Sequence, residues 1–263
     1  MTIDWNELQK EMYPIRSYED LSRRWKEAVE YAFVRKYFNF SMTAMADYAL
    51  RLLGGDTRNR YAEWMNALIS TFSQLDKAGV KDLLDLVQQV NTQVEFEGFV
   101  ALTGIGAKEL INILKFLVYW FIPAKKNMKG LVKNDPQVLD AILKLRSCGI
   151  SSNLDLLDQG ITAEARKVLA KTCGLPDAAV IDLVNRADFS RMPWVSAATI
   201  SNFLGAGYGS IARLANANLE QLSADFYRYG ESIGKNFKFG SEIDNSHRIA
   251  KIVPKVVNED TSA

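Results

Sequence analysis

Apolar residues recur with helical spacing along almost the whole chain of 263 residues, and this periodicity limits the folds that the sequence can adopt. One such face follows Leu21 and Trp25, and a second lies within 110–121. The sustained alternation of apolar and polar residues that is typical of strands is missing. The only cluster of β-branched residues, 252–257, contains Pro254, so we expect it to be extended and peripheral. The pattern therefore predicts an all-α fold, a helical bundle with tandem helical hairpins.

A weak internal repeat marks the places where one helix ends and the next begins. Each copy has an apolar residue, a glycine four positions later, an apolar or aromatic residue close to that glycine, and a leucine further on. Glycine can adopt the positive φ that a helix end often requires, and the apolar residue can then pack back on the helix. The three copies centre on Gly79, Gly149 and Gly207, and each predicts a helical hairpin.

The segment 99–111 is the sharpest motif in the chain. An apolar helix end leads through Thr103 into a Gly-Ile-Gly turn at Gly104 and Gly106, and Lys108 follows at the start of another apolar helix. This order closely resembles the helix-hairpin-helix motif, in which exposed backbone amides at a helix start can bind a phosphate. The resemblance implies that Thr103, Gly104, Gly106 and Lys108 contact a nucleic-acid backbone.

Positive charge around this motif supports the same interpretation. The window 107–147 holds eight lysine and arginine residues against three acidic residues, a net charge of +5, whereas the whole chain carries only +1. Local basic patches of this kind attract phosphate backbones. The sequence leaves an alternative open, which is a compact turn between packed helices with the lysines on solvated faces.

A second segment, 188–200, resembles the same hairpin with both glycines replaced, by Trp194 and Ser196. A bulky side chain at the point where a backbone would approach a phosphate argues against nucleic-acid contact there. Packing within the fold is one interpretation of Trp194. The other is an anchor for a partner protein, because tryptophan is enriched at the energetic centres of interfaces.

The stretch 143–222 resembles a known domain family. The matching residues include Cys148-Gly149-Ile150, Cys173-Gly174-Leu175, Asn185-Arg186-Ala187-Asp188 and Arg191-Met192-Pro193. On these residues the stretch is similar to a bacterial domain family of unknown function, which is itself similar to helix-hairpin-helix domains such as the C-terminal domain of the RNA polymerase alpha subunit. The resemblance implies a fold and no activity, because the family has none assigned.

The apolar run 116–122 indicates a helix that is covered on every side, either by its own chain or by a partner. Tyr119 and Trp120 lie in this run and are candidates for contact with a partner protein. The run also predicts self-association.

Residues that could support catalysis or metal binding are sparse. His247 is the only histidine, and the charged stretch around it predicts that it is exposed. Cys148 and Cys173 are the only cysteines, so we expect two small buried thiols in a reducing compartment. The glycine-rich segment 205–210 follows a helical pattern, which favours a helix end over a nucleotide-binding loop. We expect no catalytic residue, no metal, no cofactor and no small-molecule substrate.

Four segments are predicted: an N-terminal helical region (1–74), a first hairpin unit (75–130), a degenerate hairpin domain (131–228), and a C-terminal helix with a flexible tail (229–263). We expect no secretory signal and no membrane span, because the most apolar segment is short and is interrupted by Lys115. These features predict a cytoplasmic, non-enzymatic adaptor or structural protein that binds protein through its hairpins. The alternative is a nucleic-acid-binding protein that contacts the phosphate backbone through the hairpin at 103–108.

Overall fold

The computed structural model describes residues 3–55, 60–132, 136–237 and 242–258. The chain forms two compact units, which divide between Ala124 and Lys125. Helix accounts for 71% of the chain, and no strand occurs among the described residues. The predicted all-α helical bundle is therefore confirmed. The division into four segments and the assignment of tandem helix-hairpin-helix units stay predictions.

The described part of the first unit contains eight α-helices, the last of which continues into a π-helical turn, Leu117–Phe121. The helices are α1 (Trp5–Met12), α2 (Tyr18–Val29), α3 (Ala32–Tyr37), α4 (Met42–Leu53), α5 (Ala62–Lys77), α6 (Leu83–Gln89), α7 (Gln93–Thr103) and α8 (Ala107–Phe116). Five of them begin at a polar side chain that accepts a hydrogen bond from the first helical turn, and these caps fix where the helices start. The capping residues are Asp4, Ser17, Ser41, Asp82 and Thr92.

The described part of the second unit contains a short 3₁₀ helix, Met128–Leu131, and eight α-helices. The α-helices are α9 (Pro136–Ser147), α10 (Asn153–Gly160), α11 (Ala163–Cys173), α12 (Asp177–Phe189), α13 (Ala197–Gly205), α14 (Ile211–Asn216), α15 (Leu219–Ser232) and α16 (Glu242–Ile252). Side-chain caps again open most of them. These caps are Ser152, Thr162, Ser196, Ser210 and Asn218.

Helices α5 to α8 and α9 to α12 repeat one order of helices and turns, in which matching residues are seventy positions apart, although the helices of the two sets pack on different neighbours. The first helix of each copy is followed by a left-handed glycine, Gly79 (φ 87°) or Gly149 (φ 85°). The third helix is followed by another, Gly104 (φ 70°) or Gly174 (φ 61°). We call these copies the first and the second repeat.

The connections that follow α5 and α9 also contain the same hydrogen bonds. The N–H groups of Val80 and Ile150 each donate to the carbonyl oxygen five residues earlier, at 3.1 and 3.0 Å. Asp85 and Asp155 each accept a hydrogen bond from the N–H four residues earlier. Such bonds satisfy backbone groups that a helix end otherwise leaves unpaired. The hairpins predicted at the first two glycines are confirmed.

Helices α13 to α16 follow the same order as the two repeats. Gly207 (φ 93°) comes after α13, and Gly234 (φ 67°) comes after α15. The N–H of Tyr208 donates to the carbonyl oxygen of Phe203 at 2.9 Å, as at the other two turns. The third predicted hairpin is confirmed, and so is the interpretation of 205–210 as a helix end.

Aromatic side chains fill the core of the first unit where the first repeat ends. The ring centroid of Phe121 lies 5.0 Å from that of Phe40 and 4.9 Å from that of Tyr48. The ring of Phe116 lies 6.1 Å from that of Phe72. The apolar run 116–122 is therefore covered largely within its own chain, and self-association stays a prediction.

The segment 252–257, predicted to be extended and peripheral, leaves α16 after Ile252 and packs on the second unit, so the expectation of a peripheral position is wrong for its buried residues. Val253 and Val256 are buried. The N–H of Asn258 donates to the carbonyl oxygen of Ile161 at 3.0 Å. Residues 259–263, which belong to the predicted flexible tail, lie outside the described residues.

Cys148 and Cys173 form a disulfide, so the expectation of two thiols is wrong. Their Cα atoms are 6.0 Å apart, which is an ordinary separation for such a bond. Each cysteine directly precedes a left-handed glycine, at the end of α9 or of α11. Only Cys173 is fully buried, and Cys148 is half-buried. The fold of the second unit thus brings together two helix ends that are far apart in the sequence.

Reduction of this disulfide should lower the free energy of unfolding by about 3 kcal/mol, because the bond constrains the unfolded chain across a sequence separation of 25 residues. Urea unfolding followed by circular dichroism, with and without a phosphine reductant, measures the difference. Cys148→Ser is the control, since its unfolding curve should not respond to the reductant. Identical curves for the native protein under both conditions, together with two titratable thiols, would contradict the disulfide.

Candidate functional site

The first hairpin joins α7 to α8 and has the tight turn that the sequence predicts. Gly104 ends α7 in the left-handed region, and Ile105 after it is buried. The hydroxyl of Thr103 accepts a hydrogen bond from the N–H of Ile105 at 3.3 Å and donates to the carbonyl of Phe99 at 2.8 Å. Gly106 then serves as the N-cap of α8. The three small residues of the candidate site therefore lie in one turn.

Carboxylates already surround this turn. Nζ of Lys108 lies 2.6 Å from Oε1 of Glu11, and hydrogen bonding to Glu11 raises the pKa of Lys108. The carboxylate of Glu109 lies against Gly106, in the space that a Cβ there would need. Lys115 donates a hydrogen bond to the backbone carbonyl of Glu11. A phosphate at this hairpin would therefore meet two negative charges, which disfavours its binding.

The basic window 107–147 is divided between the two units. Lys108 and Lys115 belong to the first unit, and the other six basic residues belong to the second. Lys144 and Lys126 are engaged locally. Nζ of Lys144 lies 3.3 Å from the carboxylate of Asp140, and Lys126 donates to a backbone carbonyl. Lys133 and Asp135 of this window lie outside the described residues.

The counterpart of the first hairpin lies between α11 and α12, at Gly174-Leu175-Pro176. Gly174 is left-handed like Gly104, and Leu175 is buried like Ile105. Pro176 has φ −63° and ψ 142°, and Gly106 has φ −63° and ψ 140°. By its place in the repeat, the counterpart of the first hairpin is therefore this turn, whereas 188–200 lies one helix further along the chain. A proline at the cap has no N–H, so this copy offers one amide fewer to an anion.

Trp194 lies in the turn between α12 and α13 with φ 61°, and it is the only non-glycine residue with positive φ in the described part of the chain. It is 63% exposed. Ser196 caps α13 by accepting a hydrogen bond from the N–H of Thr199 at 3.1 Å. The backbone of the turn from Trp194 to Ser196 thus resembles that of the first hairpin, although the two turns occupy different places in the repeat. The matching position of the first repeat holds Ala124.

Tyr119 and Trp120 lie in the π-helical turn that follows α8. Trp120 is half-buried, and its ring lies 5.5 Å from the rings of Trp64 and Tyr61. Tyr119 is 38% exposed, with the guanidinium of Arg24 5.5 Å from its ring centroid. Both side chains make contacts inside the first unit. A role for them in binding a partner stays a prediction.

Residues that carry the family resemblance meet at the end of α12 in a buried ion pair. The side chains of Asp188 and Arg191 bond to each other, and they are 4% and 1% exposed. Arg191 also donates to the carbonyl of Pro254 at 3.2 Å, which ties the C-terminal segment to α12. The pair is closed to solvent, so its position indicates a structural role.

A second set of hydrogen bonds lies beside this pair. Nδ2 of Asn153 donates to the hydroxyl of Ser190 at 2.9 Å, and Nζ of Lys126 donates to the carbonyl of Ser190 at 2.6 Å. Burial lowers the pKa of Lys126. Phe121 lies seventy positions before Arg191, and the carbonyl of Phe40 accepts a hydrogen bond from the N–H of Leu83 just as the carbonyl of Lys126 accepts one from the N–H of Asn153, so Phe40 and Phe121 occupy the matching places in the first unit. Polar side chains therefore stand in the second unit where the first unit has aromatic rings.

His247 is buried on α16 and 8% exposed, so the expectation that it is exposed is wrong. Burial, and then the charge of Lys251, lower its pKa. The backbone of Ala217 and of Ala215 raises its pKa in part. Among the described residues, no group of three or more histidine, cysteine, aspartate or glutamate side chains could hold a metal ion.

A protein-family model matches most of the second unit. The model is that of DUF4332, a domain of unknown function, and it covers residues 139–237. The match confirms the resemblance to a domain family of unknown function and extends beyond 143–222 at both ends. The likeness of that family to helix-hairpin-helix domains stays a prediction. No curated protein and no solved structure matches the chain.

In the described parts of the chain, every helix is too short or too polar to cross a membrane. The cytoplasmic location stays a prediction, and so does the absence of enzymatic activity.

Asp188→Asn should lower the free energy of unfolding by about 3–5 kcal/mol, because it leaves the charge of Arg191 buried without its carboxylate. Chemical unfolding followed by tryptophan fluorescence measures the loss. Asp20→Asn is the matched control, since Asp20 pairs with Arg23 at the same three-residue spacing on an exposed helix face. That control should lose no more than about 1 kcal/mol. Equal, small losses in both variants would show that the buried pair is dispensable.

Acidification should destabilise the protein through His247. Because the folded state lowers the pKa of His247, the unfolded chain binds the proton more tightly. Its contribution to stability is therefore complete above the ordinary histidine pKa of about 6.5 and is lost as the pH falls below it. Urea unfolding at a series of pH values between 7.5 and 5.5 measures this slope. His247→Gln should show a shallower slope than the native protein, and parallel slopes would refute the assignment.

Proposed function

We propose that this protein is a non-enzymatic adaptor or structural module that binds another protein, and that the Trp194 turn belongs to its contact surface. The observation that carries the proposal is a tryptophan residue that is 63% exposed and has a left-handed backbone. Tryptophan is enriched among the residues that contribute most to protein interfaces. A large apolar side chain held in solvent is well suited to such a contact.

The backbone of Trp194 adds weight to this proposal. A left-handed conformation is unfavourable by about 1–2 kcal/mol for a residue with a Cβ, and glycine avoids that penalty. The first repeat has no residue like it, because its matching position is Ala124. Conformations of this kind persist where the surrounding structure fixes them, and they cluster at binding sites.

The surrounding structure holds this turn in place. The buried Asp188–Arg191 pair ends three residues before Trp194, and the intervening Met192 and Pro193 are buried. A rigid turn loses little conformational freedom when it binds, which favours affinity. The DUF4332 domain therefore presents an exposed ring on an ordered support.

Nucleic-acid binding through the hairpin at 103–108 is the less favoured function. Its support is the left-handed turn at Gly104 and the start of α8, where backbone amides can meet a phosphate. The carboxylates of Glu11 and Glu109 weigh against it, because they neutralise Lys108 and lie against Gly106. We therefore rank a protein partner above a nucleic acid.

Trp194→Gly should abolish capture of the natural protein partner while leaving the fold intact. Glycine accepts the left-handed conformation, so the free energy of unfolding should stay within about 1 kcal/mol of the native value. Affinity purification of the tagged full chain from its source cells, followed by quantitative mass spectrometry, measures the partner. Urea unfolding of the same preparations measures the stability.

Val168→Ala is the control for this experiment, because Val168 is 66% exposed on α11 of the same unit. It should retain the partner at native stoichiometry. An equal yield from the Trp194→Gly protein would refute the role of the turn. Salt-dependent binding of a fluorescent DNA duplex to the native protein, lost in Lys108→Glu, would instead support the nucleic-acid function.

A further inference from the structure

Residues 253–258 leave α16 and pack on the second unit in an irregular conformation, and we call this segment the strap. Val253 and Val256 are its buried residues. At its other end the N–H of Asn258 donates to the carbonyl of Ile161 at 3.0 Å. The strap lies outside the region 139–237 that the DUF4332 model covers. The matched region therefore binds a segment from outside itself.

Two buried arginines hold the strap by its backbone. Arg191 donates to the carbonyl of Pro254 at 3.2 Å, and Arg166 donates to the carbonyl of Asn258 at 3.0 Å. A guanidinium has five N–H donors, so one arginine can bond the strap and a second group together. Arg166 also donates to two backbone carbonyls where α10 ends. Each arginine therefore ties the strap to a fixed part of the second unit.

Arg191 also leads directly into the Trp194 turn. Its side chain pairs with Asp188, and its N–H donates to the carbonyl of Asp188 at 3.1 Å. Beyond Trp194, the N–H of Val195 donates to the carbonyl of Met192 at 3.4 Å, so the turn is built on the residues that follow Arg191. Release of the strap would take an acceptor away from a buried guanidinium, which is unfavourable unless the side chain moves. A movement of Arg191 would in turn disturb the Trp194 turn.

The first unit has neither of these arginines and no counterpart of the exposed tryptophan. The matching residues, seventy positions earlier, are Phe96, Phe121 and Ala124. Phe96 packs on Tyr18 with ring centroids 5.0 Å apart, and Phe121 packs on Phe40 at the same distance. Aromatic packing thus fills these positions without arginine. The two arginines and the exposed tryptophan occur together in the second unit, which favours a joint role.

We infer that the strap regulates the Trp194 turn: while the strap is docked, Arg191 holds the turn in the conformation that presents the tryptophan, and release of the strap loosens the turn and weakens partner binding. This inference rests on the proposed function, because it concerns the same contact surface. The strap has six residues and buries two of them, so it can open locally while the rest of the unit stays folded. Coupling between two sites is reciprocal, so a partner that fixes the turn should also hold the strap in place.

Val256→Asp in the full chain should release the strap, because it places a charge at a buried site. Labelling with 5-fluorotryptophan gives a ¹⁹F NMR signal for each of the five tryptophans, and Trp194→Gly identifies the signal of Trp194. That signal should shift or broaden in Val256→Asp. The other four tryptophans belong to the first unit, so their signals should stay in place. Capture of the natural partner should fall at least about threefold, because a less ordered turn loses more freedom on binding.

Asn258→Asp is the matched control, because it adds the same charge to an exposed residue of the strap and keeps the carbonyl that Arg166 binds. It should give the native Trp194 signal and native partner capture. Val256→Ala removes only part of the buried side chain, so it should move the Trp194 signal less and in the same direction. Circular dichroism verifies that each variant keeps its helices, and Val256→Ala decides if Val256→Asp does not. A Trp194 signal at its native position in the folded Val256 variants would overturn the inference.

The NMR signal separates this inference from the proposed function, because it reports the Trp194 turn without any partner. Partner capture that depends on Trp194, combined with an unmoved Trp194 signal in the Val256 variants, would refute the strap and leave the proposed function standing. A moved signal, combined with native partner capture by Trp194→Gly, would support the link between the strap and the turn and refute the role of the turn in binding.

Discussion

The repeats depend on glycines that take a positive φ directly after a helix. Gly79 and Gly104 do so in the first repeat, and Gly149 and Gly174 do so in the second. A Cβ at any of these four positions would have open space around it, so crowding is not the reason for glycine. The reason is the backbone, because the left-handed region is unfavourable for residues with a Cβ. This conformation lets the chain reverse while the last carbonyls of the helix keep hydrogen-bond partners.

One backbone plan is stabilised in two different ways. The first unit uses aromatic packing, with the rings of Phe40 and Phe121 5.0 Å apart. The second unit has Lys126 and Arg191 in the matching places, and both donate hydrogen bonds to backbone carbonyls. Aromatic packing tolerates small changes of side-chain volume, whereas a buried polar network is costly when any member lacks its partner. The second unit therefore depends more strictly on the identity of its residues than the first does.

The sequence was sufficient for features that depend on neighbouring residues. Helical periodicity and the glycine at 149 predicted a helix end correctly, because a few adjacent residues determine both. It was insufficient where distant segments meet. Cys148 and Cys173 are separated by 25 residues and pair only because the repeat brings α9 and α11 together. The neighbours of His247 in the sequence are charged, yet α14 packs over it and buries it.

The hairpins illustrate why a motif identified by its glycines does not define a ligand. In the first hairpin the expected turn is present, but Glu11, which is nearly a hundred residues from Lys108 in the sequence, pairs with that lysine. In the second hairpin Pro176 replaces Gly106 and removes a donor. Anion binding at a helix start needs both free amides and a favourable charge, and each copy has lost part of one requirement. The second unit instead has an exposed tryptophan at 194 where the first unit has Ala124, and this difference underlies our proposal of a protein partner.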